Sequence, residues 1–245
     1  MNSVKRNLRA VRLLFVSVLI LTAGSVQTLL SGGVEASGLA QEGNKPFIVP
    51  FAGDPGPDTW LLIQPYGNTL FAYQFRRSVY YGGQGLHFGI DLAAACGTPI
   101  LAIGDGVVES VDSWHGAGPH NLMIAHPNGY DSFYGHLLVR PRLRVGQVIE
   151  AGQVVALSGD PDLTCNSRPH LHLEIRDSAT QAIAYNPLDL IEADWERIAL
   201  SGSQPVEFVQ ELGEPHAWLG LFDQPETKFG HPLVNDFSKA WPYDW

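Results

Sequence analysis

The chain has 245 residues, of which 45% are hydrophobic, enough for one substantial domain with appendages and too many for general disorder. Its formal charge is −10, and Lys5, Arg6, Arg9 and Arg12 all lie at the extreme N-terminus, so the remainder is more acidic still. An acidic body argues against nucleic acid as a partner, because phosphate recognition needs a basic patch.

In chain order, residues 1–30 read as a signal peptide or signal anchor. A basic segment precedes the apolar run 13–23, and Ala23, Ser25, Val34 and Ala36 offer cleavage points. Weak apolar character continues to Leu30, so membrane anchoring through this segment stays open, since about 20 apolar residues span a bilayer. Export places the protein outside the cell, at its surface or in the periplasm. Residues 31–45 are small and polar and read as a linker. From Pro46 short apolar runs alternate with Gly, Pro, Asn and Asp. Strands are expected near 60–63, 69–75, 100–103, 106–111, 121–125, 132–134, 147–149, 154–158 and 170–175. Asn128-Gly129 signals a hairpin. The repeated Gly-Gln-Val at 146–148 and 152–154 suggests two strands turning over each other. No sustained helical period appears, so residues 46–190 are expected to form an all-β, compact antiparallel sheet or sandwich. Residues 191–245 carry four of the six tryptophans. They read as an aromatic-rich, acidic, irregular extension laid over the β domain, with a wall-binding appendage as the sharper alternative.

Cys96 and Cys165 are the only cysteines. In an exported protein such a pair reads as a disulfide, and ligation of zinc by thiolates is weaker because no Cys-x-x-Cys spacing is present. His170, His172 and Glu174 share one face of an extended segment, about 6.6 Å between neighbours. One imidazole can then bind a metal while the next reaches the reacting water. His87 and Asp91 would be about 13 Å apart on a straight strand. A shared ion requires a bend or bulge there, which Gly89 permits, and the glycines at 82–85 oppose a helix. His136 would arrive from a separate strand. His126 is assigned to a turn, His115 and His120 to a loop, and His216 and His231 to structural or solvated positions in the tail.

The segments HFGID (87–91), YGHL (134–137) and RPHLHLE (168–174) resemble the motifs of the lysostaphin-like, LytM-type zinc endopeptidases, across roughly residues 86–187. The resemblance implies one Zn²⁺ held by His87, Asp91 and His172. It also implies proton transfer and oxyanion stabilisation by His136 and His170, and a groove above a duplicated-hybrid-motif β domain. The implied substrate is the peptide part of cell-wall peptidoglycan, met by a monomer. Glu174 is expected to orient a ligand histidine, with an ordinary ion pair as the alternative. The family's glycine-rich approach to its last motif is replaced here by residues 159–168, which puts substrate preference in doubt more than chemistry. Two rivals remain: a non-catalytic wall-binding or hydrolase-activating domain, and an iron oxygenase using two histidines and one carboxylate.

Overall fold

The computed structural model describes residues 44–201, 209–211 and 217–236. The expected signal segment and nearly all of the expected linker lie outside them. Among the described residues no helix is long and apolar enough to cross a membrane. The elements are β1 (Trp60–Gln64), α1 (Leu70–Gln74), β2 (Ile90–Ala94), β3 (Pro99–Leu101), β4 (Gly106–Val111), β5 (His120–Ala125), β6 (Tyr130–Leu137), β7 (Val148–Ile149), β8 (Val154–Leu157), β9 (His170–Asp177), β10 (Ile183–Tyr185), α2 (Pro187–Leu190), α3 (Trp195–Ser201), β11 (Val209–Gln210), β12 (Trp218–Leu219) and β13 (Thr227–Lys228).

The fold is all-β and antiparallel. Seven strands form a sheet in the order β1-β2-β9-β6-β5-β4-β7, and β10 and β13 extend it past the end of β2. Strand β9 is an interior strand, with β2 on one side and β6 on the other. Its alternation separates two surfaces. Leu171, Leu173 and Ile175 enter the core together with Ile90, Leu92, Leu122, Ile124 and Tyr134. His170, His172 and Glu174 face the other way, as period two requires. Burying these branched and aromatic side chains, at roughly 1.5–3 kcal/mol each, is what pins the register. A one-residue slip of β9 would drive histidines into the core.

The hairpin expected at Asn128-Gly129 joins β5 to β6, with Ala125 opposite Asp131 and the His126 amide donating to Tyr130 O at 2.8 Å. The segment 69–75 is a helical turn instead of a strand. Thr69 caps it by accepting from Ala72 N at 3.1 Å, and Phe71 and Phe75, four apart, pack with centroids at 4.6 Å. Capping and this i,i+4 contact override the β propensity of the aromatics. The Gly-Gln-Val units do not pair with each other: β7 joins β4, and β8 joins β3 in a separate two-stranded sheet. What repeats is a turn, closed by Gln147 N to Arg144 O at 2.9 Å and by Gln153 N to Glu150 O at 3.0 Å.

Beyond residue 190 the chain returns to the sheet. Trp195 is buried in the core and donates its indole N–H to Ile191 O at 2.9 Å. Strand β13 pairs with β10, and the buried Tyr66 hydroxyl donates to Ala184 O at 2.7 Å while accepting from Thr227 N at 2.7 Å. Trp218 is 64% exposed. Trp241 and Trp245 lie outside the described residues.

Candidate metal centre

Strand register makes the site. Asp91 on β2 stands opposite His172 on β9, and Gly135 on β6 stands opposite His172 from the other side. His87 precedes β2 and is fixed by a bridge to Gly67, with backbone hydrogen bonds of 2.7 and 2.8 Å in both directions. The chain turns between His87 and Asp91, so the bend expected there is present. Gly89 is required for close approach: a Cβ there would meet Leu173 O at 2.6 Å and His172 Cε1 at 2.9 Å. Gly135 serves the same purpose beneath the loop between β4 and β5, where a Cβ would collide with the Ala117 side chain.

His87 Nε2, Asp91 Oδ1 and His172 Nδ1 face one another. The separations are 3.3 Å from His87 to Asp91, 3.3 Å from His87 to His172 and 2.8 Å from His172 to Asp91. All three residues are buried. Zinc ligands at about 2.1 Å in a tetrahedron have edges of about 3.4 Å, so two nitrogens and one oxygen at these distances fit that ion with small adjustment. The other ring nitrogens are already engaged. His87 Nδ1–H donates to Pro65 O at 2.7 Å, which leaves Nε2 as the lone pair facing inward. His172 is reversed, with Nε2 against Glu174 Oε1 at 3.1 Å and Nδ1 inward. Partners of this kind fix ring orientation and raise ligand basicity.

Electrostatics favour positive charge at this spot. Burial works against the Asp91 carboxylate, but His87 and His172 hold it well below the usual carboxylate range. Burial also opposes charge on His172, yet Asp91 and Glu174 on either side push it up to about 9. Glu174 is buried and stays ionised because Arg176 lies against it, with Nε to Oε2 at 2.6 Å. Arg176 is itself buried, sits over the Phe133 and Phe229 rings, and donates to His115 Nδ1 at 3.1 Å. The alternation that places His170, His172 and Glu174 on one face continues to Arg176, and that signal identifies it. The carbonyls of Pro65, Gly118 and Arg168 carry no sequence signal at all.

His136 and His170 stand at the rim, ring centroids 4.7 Å apart, with His136 6.0 Å from His172. His170 Nε2 is 3.9 Å from Asp91 Oδ2. Each donates Nδ1–H to a loop carbonyl: His136 to Gly118 O and His170 to Arg168 O, both at 2.6 Å. Nε2 of each is therefore a free acceptor. His136 has φ +56°, a left-handed conformation uncommon for a side chain of this size. Burial, then His172 and His170, lower its pKa to about 4. The arrangement can accept a proton beside a metal and return it.

The remaining histidines do other work. His126 is buried, donating Nδ1–H to Asp105 O at 2.7 Å and accepting from Ser132 Oγ at 2.8 Å. His120 begins β5 and contacts the Asp112 carboxylate at 3.1 Å, while His115 supports Arg176. His216 lies outside the described residues. Cys96 and Cys165 are joined as a disulfide.

Residues 85–187 match the sequence profile of Peptidase family M23. The chain is similar to lysostaphin of Staphylococcus simulans, 30% identical over 111 residues, covering 44% of this chain and 22% of that protein. It is also similar to the peptidoglycan DD-endopeptidase ShyB of Vibrio cholerae, 32% identical over 129 residues, covering 52% of this chain and 28% of that protein. Among solved structures, the catalytic domain of the prophage-encoded M23 protein EnpA from Enterococcus faecalis aligns with 57% of this chain and 95% of its own. That alignment has 29% identity and a TM-score of 0.43. The chain spans between about a fifth and under a third of the length of these curated relatives.

Proposed function

Residues 85–187 of this chain belong to peptidase family M23, and from that premise we propose that the protein is an exported zinc metalloendopeptidase acting on peptidoglycan. Its bonds are amides in the stem peptides or cross-bridges. The observation that carries this reading is the convergence of His87, Asp91 and His172 within one buried cluster, with the acceptor nitrogens of His136 and His170 at its rim. Likeness to peptidoglycan endopeptidases supports the substrate class. The basic and apolar N-terminal segment supports export.

His87 Nε2, Asp91 Oδ1 and His172 Nδ1 would hold the ion. When bound, zinc supplies a Lewis acid that polarises the scissile carbonyl and lowers the pKa of water from about 15.7 toward about 7. The two rim histidines supply the proton traffic. A neutral imidazole anchored through Nδ1–H accepts a proton at Nε2, and the anchoring carbonyl steadies the imidazolium that results. The imidazolium so formed donates its Nε2–H to the developing oxyanion and then delivers that same proton to the leaving amine. His136, neutral at physiological pH, enters the cycle in the accepting form. Glu174, fastened by Arg176, keeps the His172 ring from rotating.

The test is metal analysis of the full chain together with mass mapping of purified wall fragments after digestion. One zinc per chain and cleaved peptide amides are expected, and His87→Ala should lose both. Wild-type protein that holds zinc yet leaves wall peptides intact would support a wall-binding role instead.

A further inference from the structure

The segment between Gly159 and His170 links the two rim histidines. Gly159 N donates to His136 O at 3.0 Å, His170 N donates to Gly159 O at 3.0 Å, and Cys165 between them is tied to Cys96. Within this loop, Asp160, Asp162 and Thr164 place an oxygen-bearing side chain at every second position. Thr164 Oγ1 lies 2.7 Å from Asp162 Oδ1 and 3.5 Å from Asp160 Oδ2. One hydroxyl therefore stands between two carboxylates, and its single proton serves only one of them.

Asp160 has 0% relative exposure. Its Oδ2 accepts from Ser167 Oγ at 2.9 Å, but its Oδ1 is buried with no hydrogen-bond partner. Both oxygens belong to one carboxylate, so an ion that meets Oδ2 can take Oδ1 as well in bidentate fashion. Burial pushes the Asp160 carboxyl up, but Ser167, the Cys165 amide and contact with Asp162 hold it below the usual range. The group is thus an anion whose Oδ2 is supplied with donors while its Oδ1 has none, which leaves that oxygen free to meet a cation. No lysine or arginine ion pair reaches it among the described residues.

We propose that this loop is a second cation site, distinct from the histidine cluster, which takes a hard divalent ion of the calcium class through the Asp160 and Asp162 carboxylates and the Thr164 hydroxyl. The donors are all oxygen, which suits calcium or magnesium and disfavours zinc or copper. Spacing at i, i+2 and i+4 is the one that brings successive side-chain oxygens around calcium in a loop, and an irregular loop suits calcium's flexible coordination better than magnesium's strict octahedron. The ion would neutralise two adjacent carboxylates and stiffen the segment whose Arg168 carbonyl aims His170. The site goes beyond the zinc reading and stands without it.

Calorimetric titration of calcium chloride into the zinc-saturated full chain tests the proposal, with magnesium chloride in parallel. One calcium per chain is expected, with Kd about 10⁻⁴–10⁻³ M, the range of extracellular modules. Asp162→Asn, at an exposed position, should weaken binding by about tenfold or more, because affinity follows the number of charged ligands. Asp160→Asn should do the same if it folds. His87→Ala should bind calcium as the wild type does. Calcium should also raise the melting temperature of the wild type and not of Asp162→Asn. The proposal is overturned by absence of saturable binding up to about 10 mM, by equal affinity in Asp162→Asn, or by loss of calcium binding in His87→Ala.

Discussion

Asp91 and His172 are fastened to each other by strand register, His87 by its bridge to Gly67, and the His172 ring by a carboxylate that is itself held by Arg176. His136 and His170, a few ångströms away, hang from the carbonyls of two loops, and His136 does so with a left-handed backbone. The inner group is built to keep a fixed spacing around positive charge. The rim pair is built to present a lone pair and to tolerate gaining a proton. The proposed metal ligation suits the more tightly held group because an ion punishes errors of a few tenths of an ångström. Proton carriers need only hydrogen-bond reach.

Substitutions should separate the two regions. Asp91→Ala should remove stoichiometric zinc and reduce cleavage of wall peptides to background, measured by metal analysis and product mass spectrometry. His170→Ala should lower kcat by about 10²–10⁴-fold, the usual contribution of a positioned acid or base, while zinc content stays at one per chain. Parallel loss of metal in that variant would erase the distinction between cluster and rim. Glu174→Gln should weaken zinc affinity by about 10–100-fold, as loss of a carboxylate partner to a ligand histidine does. A competition titration with a chelator reads this directly, and an unchanged affinity would assign Glu174 to its ion pair with Arg176 alone.

Two further effects are smaller and fall on the scaffold. Replacing Cys96 and Cys165 together by serine should cost about 2–4 kcal/mol in chemical denaturation, with a larger effect on kcat than on zinc content, since the disulfide holds the loop that aims His170. Burial lowers the pKa of His126 below its ordinary value. The unfolded chain therefore binds a proton there at a higher pH than the folded one, and stability falls as pH drops through about 6.5. Denaturation at pH 7.5 and 5.5 checks this, and His126→Gln should flatten that part of the profile.

Much of this molecule is legible in the chain. The period-two run at 170–175 reads as a strand with histidines on one face, and it stands as an interior strand of the sheet. The hairpin at Asn128-Gly129 follows from turn chemistry alone. By contrast, 69–75 reads as a strand from its aromatics and becomes a helical turn, because a Thr69 cap and an i,i+4 ring contact decide so short a segment. The repeated Gly-Gln-Val marks a repeated turn and says nothing of which strand each copy joins. That choice belongs to the sheets.

What the order of residues determined by itself is the inventory: which side chains bear lone pairs, which face of β9 carries them, and that HFGID must bend. The tertiary structure alone decided the convergence. Asp91 meets His172 across an antiparallel pairing 81 residues distant, and Pro65, Gly118 and Arg168 select ring tautomers through carbonyls that every residue possesses. Backbone oxygens have no side-chain identity, so their role emerges only when the chain folds and brings one within reach of a particular imidazole.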